Sequence, residues 1–159
     1  MKIISGGQTG ADRAALDVAI ALKLDYGGYI PRKRRAENGS LSAKYDRMIE
    51  LDTAHYPART RKNVLAADAT LLFTIGKMSG GTALTRQIAA RAGKPYLHIN
   101  LKSVPPRKAV ELIRNWIAHI QPEVLNIAGP RESNSPGIYH AVYRVLERVW
   151  EVEDDKKER

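Results

Sequence analysis

Short apolar runs alternate with longer stretches of helical spacing along the whole chain. Residues 2–5 form a short β-branched run that leads into Gly6-Gly7-Gln8-Thr9-Gly10-Ala11-Asp12, and residues 14–24 are then almost wholly Ala, Leu, Val and Ile. That order predicts a strand, a glycine turn and a buried helix. Residues 27–31 predict a second strand stopped by Pro31, and the basic stretch from 32 to 41, ending in Glu37-Asn38-Gly39-Ser40-Leu41, predicts a mobile loop. A short helix is expected over 45–51 and a stronger one after Pro57, running through Ala67. The second half repeats the scheme. Strands are expected over 70–75, 95–101 and 124–128, and helices over 82–92, from Pro105-Pro106 onward through Val110, Ile113, Ile117 and Ile120, and over 138–152. Gly76-Lys77-Met78-Ser79-Gly80-Gly81 and residues 129–137 supply two further turn-rich loops.

Parallel strands need a crossover helix each, so this alternation predicts an α/β fold: a single Rossmann-like domain with a parallel sheet of about five strands and helices on both faces. The domain is expected over residues 1–152, with 153–159 as a charged tail. In such sheets ligands sit outside the carboxyl ends of the strands, and all three glycine-containing loops follow strands. They are expected to meet in one cleft.

Composition narrows the chemistry. A length of 159 residues with 43% apolar and 27% charged positions fits one ordinary globular domain. With no Cys, a thiol nucleophile, a Cys-ligated zinc, an iron–sulfur cluster and a redox dithiol are all excluded. Neither an apolar leader segment nor a membrane-spanning run is seen, so a cytoplasmic location without membrane contact is the expectation. The net charge of +9 favours an anionic partner, with the densest cluster at Arg32-Lys33-Arg34-Arg35 and further cations at Arg59, Arg61 and Lys62. A solvated basic face accounts for such clusters equally well.

The glycine loops offer phosphate chemistry, because backbone N–H groups at a helix start attract anions and glycine lets a ligand approach. The first loop is not Gly-x-Gly-x-x-Gly and no acid ends the second strand, so a dinucleotide fingerprint is absent; the second lacks the Gly-Lys-Ser/Thr order of a Walker loop. Asp12 either caps the first helix or binds ligand, and Arg131 in the third loop either grips a phosphate or faces solvent. The four His have no metal-ligand spacing, Gly-x-Ser-x-Gly is missing, and no catalytic pair is nominated.

Three segments carry a resemblance: Ile4-Ser5-Gly6-Gly7-Gln8-Thr9-Gly10-Ala11-Asp12-Arg13-Ala14-Ala15-Leu16-Asp17, Ser79-Gly80-Gly81-Thr82-Ala83-Leu84-Thr85, and Asn126-Ile127-Ala128-Gly129-Pro130-Arg131-Glu132-Ser133 with Ser135-Pro136-Gly137-Ile138-Tyr139. Together, in this order, they resemble the molybdenum cofactor carrier proteins, Rossmann-like relatives of the lysine-decarboxylase-like phosphoribohydrolases and of the DNA-processing protein A. The resemblance implies that the chain binds and protects the molybdenum cofactor as cargo. That cofactor is a phosphorylated pyranopterin whose own dithiolene holds the metal, so no protein-ligated metal is required. It further implies a homo-oligomer that hands the cofactor to molybdoenzymes. The expected binding residues are Gly6, Gly7, Gln8, Thr9, Gly10, Asp12, Arg32, Lys77, Ser79, Gly80, Gly81, Thr82, Thr85, Arg131 and Ser133, with residues 32–40 as a lid. The phosphoribohydrolases place a Pro before their glycines and a glutamate three residues after their Thr; here those positions hold Ser79 and Thr85. The acid that works on the ribosyl bond is missing, which favours a carrier over the alternatives of a nucleotide sensor or a nucleoside-monophosphate phosphoribohydrolase. Nucleic-acid binding is not favoured, since few aromatics lie beside the basic cluster.

Overall fold

Leu71, Leu72 and Phe73 are consecutive and all fully buried. A strand with both faces covered is what a parallel sheet between two helical layers demands. The computed structural model describes residues 1–151. Its elements are β1 (Lys2–Ile4), α1 (Ala11–Ala21), β2 (Asp25–Ile30), β3 (Arg35–Ala36), β4 (Gly39–Ser40), β5 (Met48–Glu50), α2 (Tyr56–Ala66), β6 (Ala69–Thr74), α3 (Gly80–Arg91), β7 (Tyr96–Asn100), α4 (Pro106–Ile120), β8 (Val124–Ala128) and α5 (Ile138–Trp150). The main sheet has the order β5-β2-β1-β8-β6-β7 and is parallel throughout. Helices α1, α4 and α5 pack together on one face, while α2 and α3 pair on the other. The α/β, Rossmann-like reading therefore holds, with six strands in the main sheet where about five were expected.

The added strand is β5, which lies where a short helix was predicted. A helix over 45–51 would need the Tyr45 carbonyl for its own ladder. Arg34 takes that carbonyl instead, donating to Tyr45 O at 2.9 Å, to Ser42 O at 2.9 Å and to Leu41 O at 3.1 Å. Met48–Glu50 then pairs with Gly28, Tyr29 and Ile30 on the open edge of β2. Residues 32–41, predicted as a loop, contain a 3-10 turn and the antiparallel hairpin β3–β4, with Ala36 and Leu41 buried beneath it. The predicted tail at 153–159 lies outside the described residues, as does the last residue of the predicted final helix. Among the described residues no helix is long and apolar enough to cross a membrane.

The wiring fixes where a ligand can sit. From β1 the chain runs outward through β2 to β5, crosses to β6 and β7 on the other side, and returns with β8 to the centre. Connections leave β1 and β6 in opposite directions, so a crevice opens at the carboxyl ends of β1, β8 and β6. Helix α2 closes one side of it and is held there by Asn63, whose side chain accepts the Tyr29 N–H at 2.8 Å and donates to the Tyr29 carbonyl at 2.9 Å. Asn63→Ala leaves both backbone groups of β2 without that partner and is expected to cost about 2 kcal/mol in urea denaturation; an unchanged midpoint would refute this anchoring role.

Candidate functional site

A cleft of about 450 Å³ occupies the crevice, walled by the turns after β1, β6 and β8 and by the first half of α2. In the first turn an ideal Cβ on Gly6 would stand 2.3 Å from Arg59 Cδ. Glycine thus lets the Arg59 side chain lie across the turn, where Nη1 donates to the Gly6 carbonyl at 2.9 Å and meets Asp12 Oδ2 at 3.2 Å. Both residues are buried. Burial pushes the Asp12 carboxyl up to about 6, against the pull of Arg59 and the Gln8 N–H. Asp12 therefore braces the turn and Arg59, and its carboxylate stands in the first turn of α1.

The second turn is built differently. Thr74 Oγ1 donates to Gly76 O at 3.0 Å and Asn100 Oδ1 accepts the Gly76 N–H at 2.9 Å, fixing the exit from β6. Helix α3 then starts with no side-chain cap and no acid in its first turn. An ideal Cβ on Gly80 or on Gly81 would meet no atom within 4 Å. Gly81 does not have the positive φ that would call for glycine, yet it lines the cleft. Thr82 and Thr85 are buried behind it, with Thr85 Oγ1 donating to the Gly81 carbonyl at 2.8 Å.

In the third loop Glu132 accepts N–H groups from Gly137 at 2.6 Å and Tyr139 at 3.0 Å, so a carboxylate already stands at the start of α5. Glu37, from the β3–β4 hairpin, ties the loops together. It accepts the Thr9 hydroxyl, the Ser133 hydroxyl at 2.6 Å and the Ser133 N–H at 3.2 Å, and lies 3.9 Å from Arg131 Nε. Its own N–H donates to Gln8 Oε1 at 2.8 Å. Burial works to raise the Glu37 carboxyl, but the hydrogen bonds from Ser133 and Thr9 outweigh it and hold the group below its usual range.

The sequence matches, over residues 3–150, the model of the Circularly permutated YpsA SLOG family. The chain belongs to that family. It is also similar to a solved protein from Syntrophus aciditrophicus SB described as a "Putative molybdenum carrier protein", with 47% identity over 94% of each chain and a TM-score of 0.92. No curated protein matches it. These findings bear out the resemblance read from the three glycine-containing segments.

In this SLOG-family chain Gly6, Gln8, Asp12, Lys77, Ser79, Gly80, Gly81, Thr82, Thr85 and Arg131 come together around the cleft. The remaining sequence-predicted residues lie outside its lining. Gly7 (φ 70) packs toward Ile30 and Leu41, while at Gly10 (φ 82) a Cβ would fall 2.4 Å from the Pro130 carbonyl. Thr9 donates to Glu37 and accepts the Glu132 N–H at 3.2 Å, and Ser133 is engaged with Glu37. Arg32 lines an adjoining groove that shares Tyr56 and Arg131 with the cleft. Sequence reasoning missed Arg59, Tyr56 and Asn126. Arg59 and Asn63 stand four apart on the face of α2 that also buries Val64, a spacing that marks them as inward-facing.

Asp12 holds its proton more tightly folded, at about 6, than at its ordinary value of 3.8. A raised carboxyl contributes stability that is complete below its unfolded value and lost as pH rises through the folded one. Between about pH 4 and 7 the wild type is expected to lose roughly 3 kcal/mol relative to Asp12→Asn, read from urea denaturation across that range. A stability difference independent of pH would show that Asp12 does not titrate there.

Proposed function

We propose that this chain is a carrier that binds the molybdenum cofactor and releases it unchanged to molybdoenzymes in the cytoplasm. One observation carries the reading: of the three helices that follow the glycine-containing turns after β1, β6 and β8, α3 is the one with no carboxylate of its own at its N-terminus. Asp12 stands in the first turn of α1 and Glu132 at the start of α5, whereas α3 opens on two glycines beside Lys77, with Arg59 and Arg131 also lining the cleft. A terminal phosphate on the Gly80, Gly81 and Thr82 N–H groups completes that end. Ile75, Leu84, Tyr56 and Pro57 line the same cleft and offer an apolar wall for a flat ring system.

The name of the Syntrophus protein supports molybdenum cofactor as the cargo, and the cofactor's own sulfur ligands suit a chain without Cys. The hydrolase reading finds less support. Thr85 stands where the phosphoribohydrolases carry their acid, and its hydroxyl is spent on the Gly81 carbonyl.

Titration with anaerobically prepared cofactor, with AMP and GMP as competitors, tests the reading. Saturable binding at low micromolar or better, undisturbed by the nucleotides, is expected; nucleotide binding without cofactor binding overturns it. Gly81→Ala is expected to weaken cofactor binding about tenfold without lowering the thermal midpoint, because Ala suits a helix and meets no protein atom. Arg131→Ala is expected to weaken binding by about tenfold, the worth of one hydrogen bond to a charged group. If both variants bind as the wild type does, the phosphate lies elsewhere.

A further inference from the structure

The cleft does not end at Arg131. Beyond it lies a groove floored by the β3–β4 hairpin and lined by Arg32, Lys33, Arg35 and Arg131, with Glu37 the one carboxylate in its lining. Tyr56 stands between groove and cleft, and the guanidinium carbons of Arg35, Arg59 and Arg131 lie 5.9, 5.3 and 5.8 Å from its ring centre. Arg59 is paired with Asp12, and Glu37 is occupied by Thr9 and Ser133. Among the described residues no carboxylate lies within ion-pair distance of Arg32, Lys33 or Arg35. Gathered cations repel one another unless an anion joins them.

The backbone that presents them is itself unusual. Lys33 and Arg34 are successive non-glycine residues with φ of 61° and 54°. Each left-handed residue costs about 1 kcal/mol or more, and such conformations gather where a surface serves a ligand. The conformation is held by the three carbonyls that Arg34 grips and by Glu50, which accepts the Arg34 N–H at 3.1 Å. Arg34 is therefore the scaffold, and the residues on either side of the turn face the groove.

We propose that the groove is a second anion subsite continuous with the cleft, so that the chain also takes ligands carrying two or more phosphates in series, and holds them more tightly than ligands carrying one. The proposal rests on reading the cleft as a phosphate site. The first phosphate takes the start of α3, Arg131 serves both compartments, and the further phosphates run past Tyr56 to Arg32 and Arg35.

Isothermal titration of the whole chain with orthophosphate, pyrophosphate and tripolyphosphate tests this. The variant Arg32→Ala/Arg35→Ala is compared with Arg144→Ala/Arg148→Ala, which removes the same charge from the exposed side of α5. Affinity is expected to rise with phosphate number in the wild type. The groove variant should lower tripolyphosphate affinity by about tenfold and move orthophosphate by less than about twofold, and the α5 variant should move neither. An equal loss in the two variants, or tripolyphosphate binding unchanged in the groove variant, overturns the subsite. If either of those results is found while orthophosphate still binds the wild type and is weakened by Gly81→Ala, the cleft reading stands and the subsite alone falls. If no phosphate species binds the wild type, both fall. A single-stranded oligonucleotide that binds more tightly than tripolyphosphate and loses affinity in the groove variant assigns the groove to nucleic acid and overturns the small-ligand proposal.

Discussion

A guanidinium taken out of water must find acceptors, and the turn after β1 is shaped around that demand. Arg59 comes from α2, on the opposite layer from α1, yet it ends on the carbonyl of Gly6 and the carboxylate of Asp12. The pair joins the two helical layers over the end of the sheet. It also sets the identity of its neighbours: Gly6 must lack a side chain for Arg59 to pass, and Asp12 must sit in the first turn of α1 to receive it. Breaking one partner strands the other in a dry setting, which is far more costly than the pair is stabilising. The geometry of the cleft wall follows from this single contact.

Three helices, α1, α3 and α5, follow the strand-end turns of that wall, and the electrostatics of their termini separate them. Two are answered by side chains of the protein. The third has at Gly81 a glycine that neither its backbone conformation nor any neighbouring atom requires, and cations nearby without enough acids to match. Charge and steric room thus coincide at one spot, which neither a basic composition nor a glycine loop alone would specify.

The strand–turn–helix order was legible because parallel strands and their crossover helices have different periods, and the turn before α3 was legible because Gly76, Gly80 and Gly81 separate an apolar run from a helix-forming one. Arg59 was not, since its partners lie 53 and 47 residues away, and a local reading leaves it among surface cations. The strand β5 was hidden for a related reason. Its residues have no strong local preference, and Arg34 from another segment removes the carbonyl a helix would use. The same holds for Glu37, a loop residue by local rules whose role exists only once Thr9 and Ser133 are beside it. Contacts between distant segments decide these three positions, and a pattern read along the chain does not contain them.

The clasp made by Glu37 has a consequence for the energetics of recognition. Three loops that would otherwise each sample many conformations are gathered on one carboxylate when the chain folds, and their ordering entropy is lost at that stage. A ligand entering the cleft then meets a rim already in place, so less of its interaction energy goes into immobilising the protein and more of it appears as affinity.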